Sequence, residues 1–236
     1  MSARALSPSV REMATATFPP PKKQTLADLL NRLGGVAPER VRLDPYPATP
    51  EDVVRIEEHE DRLFELVDGV LVEKVMGYQE SWIASYLSHL LQAYVLPKDL
   101  GAVTGPDGMI RLPENLVRMP DVAYISWDRF PDRELPTEAA PEIAPDLAVE
   151  ILSESNTTGE MSRKLREYFA AGVRLVWFVD PKTKSVTVYT SPTRSKTIPP
   201  TGTLDGGKVL PGFEVPVASL FAKLKRSPKK GKRNGG

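Results

Sequence analysis

The chain has 236 residues, of which 41% are hydrophobic, and its formal net charge is zero. This composition supports one domain with a single core plus tails, and excludes two full domains. Cysteine is absent, which excludes a disulfide framework and a thiolate metal site. The first twenty residues lack the apolar run of a signal peptide, and no later run reaches transmembrane length. We therefore expect a cytoplasmic protein without a membrane partner.

The charges are distributed unevenly along the chain. From Val215 onward there are seven bases and no acid, which leaves 24 bases against 31 acids in the remaining body. Such an acidic body is not typical of a protein that coats DNA. Two interpretations of the basic tail stay open, namely a polyanion-binding arm and a solubilising end.

The sequence divides into three predicted parts. Residues 1–48 are rich in proline and small residues, and we expect a partly disordered arm with one short amphipathic helix at Leu26–Leu33. Residues 49–222 are the predicted domain. Residues 223–236 are the predicted disordered basic tail.

The first half of the domain has clear start and stop signals. Thr49 has the character of a helix N-cap and is followed by proline, so a helix is expected to run to about Glu60. Asp68-Gly69 splits two strand-like runs, which is typical of a tight hairpin. The next predicted elements are a core-facing helix at Ser81–Leu96 and strands at Val103–Leu112 and Val117–Ile125.

The second half of the domain continues the pattern after a polar, proline-rich segment at Asp128–Pro145. The predicted elements are a strand at Asp146–Leu152, a helix at Ser162–Ala171, a buried strand at Val173–Val179 and an edge strand at Ser185–Thr190. Strands and helices alternate only in part. The predicted fold class is therefore α/β, with one central mixed β-sheet flanked by helices.

A glutamate inside an apolar strand is the most informative feature of this chain. The neighbours of Glu150 are apolar on both faces of the strand, so the carboxylate is expected to be buried. A buried carboxylate pairs with a cation, binds a metal or stays protonated. Asp121 lies in the preceding candidate strand and points to the same face as Ala123 and Ile125. Two inward carboxylates on adjacent strands form a divalent-metal site, with hard oxygen ligands that suit Mg²⁺.

Other charged and aromatic residues are candidates around this pair. Lys164 begins the helix that packs back on the sheet, where it could orient a water and offset charge on a phosphate. Glu65 lies in an apolar strand, where a charged side chain is unfavourable unless it has a specific role. Glu80 lies near the start of a helix, where an acidic side chain is favourable. Tyr168 shares the helix face of Lys164, though an aromatic residue there also fits core packing.

Several other chemistries are excluded by the residues present. His59 and His89 are the only histidines, so a multi-histidine zinc site is excluded. The sequence contains no G-x-S-x-G elbow, no G-x-x-x-x-G-K-[ST] phosphate loop and no G-x-G-x-x-G dinucleotide motif. Carboxylates and lysines remain as the candidate functional groups.

The order of these segments resembles a known family. FELVDGVLVE, MPDVAYI and PDLAVEILS are followed by a K-x-x-x-Y-x-x-x-G helix, then VWFVDP and LPGFEV. This series is similar to the bacterial Uma family of putative restriction endonucleases, of the domain of unknown function 820 type, in the PD-(D/E)XK nuclease superfamily. The resemblance covers roughly Thr49 to Phe221. It implies a restriction-endonuclease-like core with metal ligands on two neighbouring strands.

The resemblance also implies roles for particular residues. Asp121 and Glu150 match the metal-binding acidic pair, with the backbone carbonyl of Ile151 as a further ligand. Leu152 occupies the place of the superfamily lysine, so Lys164 is the expected substitute. Glu65 matches the early glutamate of the family.

The resulting hypothesis is a metal-dependent endonuclease that hydrolyses DNA with Glu65, Asp121, Glu150 and Lys164, using Mg²⁺ or Mn²⁺. A non-catalytic nucleic-acid- or protein-binding module that retains the fold is the alternative, because Leu152 replaces a catalytic lysine. A hydrolase of another phosphate ester is a third hypothesis. Homodimers are common among nucleases that cut both strands. The sequence does not identify a dimer interface, so the oligomeric state stays open.

Overall fold

The computed structural model describes residues 25–60, 62–222 and 224, so most of the predicted basic tail and the first 24 residues lie outside the described part. The α-helices are α1 Leu26–Arg32, α2 Pro50–Glu60, α3 Tyr78–Val95, α4 Thr158–Ala170 and α5 Val217–Phe221. The strands are β1 Val41–Arg42, β2 Phe64–Val67, β3 Val70–Glu73, β4 Gly101–Thr104, β5 Ile110–Leu112, β6 Leu116–Arg118, β7 Val122–Ser126, β8 Leu147–Ile151, β9 Leu175–Asp180, β10 Ser185–Ser191, β11 Arg194–Ile198, β12 Thr203–Gly206 and β13 Leu210–Pro216. Within this described part, no helix combines the length and apolarity needed to cross a bilayer.

A six-stranded mixed sheet carries the Glu150 strand near its centre. Its strand order is β11-β10-β9-β8-β7-β4, with β8 parallel to β9 and antiparallel to β7. Alternate residues of β8 face opposite sides, so Val149 packs with α3 whereas Ala148 packs with α4. Helices therefore cover both faces of β8, which places Glu150 on the α4 side. The predicted α/β class, a mixed sheet flanked by helices, is confirmed.

A second sheet and a ribbon hold the other strands, whereas the sequence predicted one central sheet. The second sheet has the order β1-β3-β2-β6-β5, and β12 pairs with β13. Its β2–β3 hairpin turns at Asp68 and Gly69, which both have positive φ, as predicted from that dipeptide. This hairpin brings Glu65, on β2, next to the six-stranded sheet.

Two predicted strands are each divided between the sheets. Val103–Leu112 is β4 in one sheet and β5 in the other, and Val117–Ile125 is likewise split into β6 and β7. Pro120 lies at the second break, where its missing N–H cannot continue a strand ladder. The chain therefore crosses from one sheet to the other immediately before Asp121.

Both helices beside the site begin earlier than the apolar pattern predicted. Helix α3 starts at Tyr78 rather than Ser81, and α4 starts at Thr158 rather than Ser162. The first turn of α4 is fixed by a cap, because the Thr157 hydroxyl accepts a hydrogen bond from the backbone N–H of Glu160 at 3.0 Å. Polar first turns carry no apolar periodicity, so the sequence pattern missed them.

The described part of the N-terminal arm packs against the start of α4. Helix α1 lies where the sequence predicted it, and the Thr157 hydroxyl donates to the carbonyl of Gly34 at 2.6 Å. Gly34 and Gly159 approach so closely that a Cβ on either would overlap the backbone of the other segment. Arg40 extends from the arm and makes a bidentate ion pair with Glu160 at 2.9 and 3.1 Å. The arm is thus fixed to the helix that carries Lys164.

Candidate active site

Asp121 and Glu150 lie beside each other at the β7–β8 pair. The antiparallel register joins Val122 to Val149, and the next step along it places Asp121 opposite Glu150. The Asp121 carboxylate accepts a hydrogen bond from the backbone N–H of Ile151 at 2.7 Å. Both acidic residues are 5% exposed and line one narrow cleft. The structure therefore brings together the two carboxylates that the sequence singled out.

Helix α4 supplies two polar side chains to Glu150. The Nζ atom of Lys164 lies 3.1 and 3.2 Å from the two carboxylate oxygens of Glu150, and it is 3.0 Å from Glu65. One turn later, the hydroxyl of Tyr168 donates to Glu150 at 2.5 Å. Lys164 and Tyr168 are both buried. They form one polar stripe on an otherwise apolar helix face.

Glu65 connects this cluster to the second sheet. Its carboxylate lies 2.6 Å from the guanidinium of Arg118 and accepts a hydrogen bond from the backbone N–H of Met119 at 3.2 Å. Arg118 also pairs with Glu167 on α4. Glu65 therefore holds both Lys164 and the backbone that leads into Asp121.

Lys74 is the residue that sequence reasoning missed. Its ammonium group lies 2.8 Å from the Asp121 carboxylate and donates to the carbonyl of Met119, and its side chain is 7% exposed. The residue follows β3 directly, in the hairpin that carries Glu65. A lysine at the end of an apolar strand, paired with a strand that contains a buried acid, is the signal that could have identified it.

Glu80 and Arg40 also line the cleft. Glu80 is partly exposed at its mouth, whereas the side chain of Arg40 is occupied by Glu160 and by the carbonyl of Glu73. The cavity between these groups has a volume of about 20 Å³. That volume accommodates about one water or one ion.

The ionisation of the buried carboxylates follows from these contacts. Burial opposes the charge of Glu65, but Lys164, Arg118 and Lys74 outweigh it and hold its pKa below the ordinary value. For Glu150, burial is the main effect and raises the pKa; Lys164 opposes this, while Asp121 adds like-charge repulsion. The two acids therefore have opposite shifts within one cluster.

Lys164 and Tyr168 both hold their protons more tightly than usual. Burial disfavours the charge of Lys164, but Glu150 and Glu65 reverse that effect and raise its pKa. Burial and the Glu150 carboxylate raise the pKa of Tyr168 well above its ordinary value. Both groups are therefore hydrogen-bond donors at neutral pH, and neither is a base.

The residues present fit a divalent cation of the hard type. Asp121 and Glu150 offer carboxylate oxygens beside the backbone of Ile151, and Mg²⁺ usually takes one or two carboxylates with waters and phosphate oxygens. Asp121 adds like-charge repulsion to Glu150, which a shared cation would offset. Among residues 25–60, 62–222 and 224, no group of three or more His, Cys, Asp or Glu side chains is arranged to hold a metal ion, so a cation at this pair would need further ligands from water or substrate.

Comparisons with known proteins agree with this fold. A model of the Uma2 family, described as "Putative restriction endonuclease", matches residues 50–218. The chain is also similar to a crystal structure from Anabaena variabilis, described as a putative nuclease belonging to DUF820. The TM-score is 0.65 at 20% identity, over 75% of this chain and 98% of the other. No curated protein matches the sequence.

Proposed function

The chain belongs to the Uma2 family of putative restriction endonucleases, and from this premise we propose that it is a metal-dependent endonuclease that hydrolyses DNA phosphodiester bonds. The observation that carries the proposal is the meeting of Asp121, Glu150 and Lys164 in one cleft, from two adjacent strands and the helix that follows. Such a site combines oxygen ligands with a fixed positive charge. These groups suit hydrolysis of a phosphate ester.

The proposed metal ligands are the carboxylates of Asp121 and Glu150 and the backbone carbonyl of Ile151. When bound there, Mg²⁺ or Mn²⁺ polarises a phosphoryl oxygen and lowers the pKa of a bound water. The N–H of Ile151 orients the Asp121 carboxylate, and Tyr168 orients that of Glu150. These hydrogen bonds fix the ligand oxygens before a cation arrives.

Lys164 is proposed to orient the attacking water and to offset the negative charge that develops on the phosphate. Its raised pKa keeps it protonated, so it acts as a donor and a charge, and does not accept a proton. Glu65 is proposed as a positioning residue, because its carboxylate contacts the Lys164 ammonium group at 3.0 Å while Glu150 contacts it at 3.1 Å. Lys74 must leave Asp121, at least in part, when a cation binds.

One observation favours the second candidate, a non-catalytic binding module. Lys74 pairs with Asp121 and Lys164 pairs with Glu150, so both proposed metal ligands are already neutralised by an ammonium group. A cation must displace part of this network, which weakens its binding. A module with this cleft would bind nucleic acid without turnover.

The test is a cleavage assay on plasmid and oligonucleotide DNA that scans Mg²⁺ and Mn²⁺ concentration. We expect cleavage by the wild type that stops in chelator and in Glu150→Ala. Glu138→Ala, at an exposed surface position, is the control and should cleave normally. Cleavage by Glu150→Ala at the wild-type rate would contradict the proposal, and tight DNA binding without cleavage in any metal would favour the binding module.

A further inference from the structure

An exposed aromatic face lies at the mouth of the cleft. Tyr78 is the first residue of α3 and is 95% exposed, and Trp82, one turn later, is 41% exposed. Trp82 stacks on Tyr86 with ring centroids 6.1 Å apart and an interplanar angle of 2°. Tyr86 packs in turn against the core. The three rings follow one face of the helix, and the outer two are presented to solvent.

Tyr78, at the outer end of this face, lies in a groove that adjoins the cleft containing Asp121 and Glu150. Tyr78 lines an open groove of about 1120 Å³. The groove shares Val75 and Glu80 with the wall of the cleft. A strand with a phosphate at the mouth of the cleft would therefore have its neighbouring nucleotides along the groove, beside Tyr78.

The charges of the groove disfavour binding through phosphates alone. Its charged lining consists of Glu80, Glu154, Asp180 and Lys182, which is three acids against one base. Duplex DNA presents its phosphates outward and is bound mainly through them, so such a groove repels it. Unpaired nucleotides also present base faces, and each base stacked on an aromatic ring strengthens binding by about 5- to 150-fold without any charge contact.

We propose that Tyr78 and Trp82 form a stacking platform for unpaired nucleotides, so that the substrate class of the cleft is DNA with a single-stranded segment. The inference rests on the proposed nuclease function and deepens it. Base stacking on this face supplies the affinity that the acidic groove cannot supply. The platform also selects against fully paired DNA.

The test measures binding in chelator, where cleavage plays no part. A labelled twelve-nucleotide thymidine oligonucleotide is compared by fluorescence anisotropy with an abasic oligonucleotide of equal length and charge. We expect the full-length wild type to bind the thymidine strand at least about tenfold more tightly. Tyr78→Ala and Trp82→Ala should each weaken that binding about 5- to 150-fold and leave abasic binding unchanged.

The matched control is Leu96→Ala, an exposed apolar position that directly follows the C-terminal end of the same helix, which should leave both affinities unchanged. Equal binding of thymidine and abasic strands, or unchanged binding by both aromatic variants, would overturn the proposal. A dimer that Tyr78→Ala dissociates in sedimentation would also overturn it, because a second copy would then cover the face. Tyr78-dependent binding without metal-dependent cleavage would remove the nuclease function and leave the platform.

Discussion

The ammonium group of Lys164 lies 3.1 Å from the carboxylate of Glu150, although fourteen residues separate them in the sequence. Helix α4 makes this contact because Leu165 and Tyr168 pack on the sheet and turn Lys164 toward β8. Leu152, two residues after Glu150, packs instead against the α4 core cluster. The positive charge beside Glu150 thus comes from helix α4 rather than from the strand that carries Glu150.

Removing the hydroxyl of Tyr168 tests how much it stabilises the Glu150 carboxylate. A hydrogen bond to a charged group contributes about 1.5–3 kcal/mol. Tyr168→Phe should therefore lower the free energy of unfolding by about that amount in urea titrations at neutral pH. Tyr189→Phe, at a half-buried position on β10, is the control and should change it by less than about 0.5 kcal/mol. Equal effects of the two changes would show that the Tyr168 hydroxyl does not stabilise Glu150.

Lys74 and a metal ion should compete for Asp121. Lys74→Met removes one partner of a buried pair, so the metal-free protein should lose about 3–5 kcal/mol of stability. Mn²⁺ should then raise the melting temperature of Lys74→Met by more than that of the wild type, because no ammonium must be displaced. Thermal unfolding with and without Mn²⁺ measures this, with the exposed Lys208→Met as control. An equal rise in both proteins would show that Lys74 does not compete with the ion.

The ion pair of Arg40 and Glu160 should couple the arm to α4. Both side chains are buried, so Arg40→Met or Glu160→Gln alone should cost about 3–5 kcal/mol in urea unfolding. The double variant should cost less than the sum of the two, by about 0.5–3 kcal/mol. Strictly additive losses would mean that the two side chains do not interact in solution.

Asp146 should make the protein sensitive to acid. Its carboxylate is buried, which raises the pKa, but the Ser126 N–H at 2.7 Å and Arg129 at 2.6 Å outweigh burial and lower it. A lowered pKa contributes stability above the unfolded value of about 3.9, and that stability disappears as pH falls through the folded value.

The matching measurement is urea unfolding of the wild type and Asp146→Asn at several pH values. The wild type should be more stable at pH 7, and the difference should shrink below about pH 4 as Asp146 takes up a proton. A difference that stays constant to pH 3 would show that Asp146 is not the source of the acid sensitivity.

The proximity of the two acids could be predicted from sequence because each acid lies in or beside an apolar segment with a strand pattern. An apolar strand interrupted by Glu150 implies burial, and a preceding predicted strand that contains Asp121 suggests a second carboxylate near it; the structure pairs these strands, with Asp121 just before the start of β7. Burying a charged side chain that has no partner is unfavourable in any fold. The prediction therefore needed no knowledge of the remaining chain.

The contacts of Lys74 and Arg40 could not be predicted in this way. Lys74 reaches Asp121 only because the chain crosses between sheets at Pro120, and apolar alternation does not reveal such a crossing. Arg40 reaches Glu160 across 120 residues, through the close approach of Gly34 to Gly159. Such long-range contacts depend on how the sheets and the arm pack together.

Calorimetric titration of Mn²⁺ tests most directly whether Asp121 and Glu150 hold one divalent ion. The wild type should bind one Mn²⁺ per chain, and Asp121→Asn and Glu150→Gln should each bind at least about 100-fold more weakly, because a ligand worth several kcal/mol is lost. Asp128→Asn, at an exposed position, is the control and should bind as the wild type does, and circular dichroism should show every variant folded. Undiminished Mn²⁺ affinity in both Asp121→Asn and Glu150→Gln, or no binding by the wild type, would contradict the metal site.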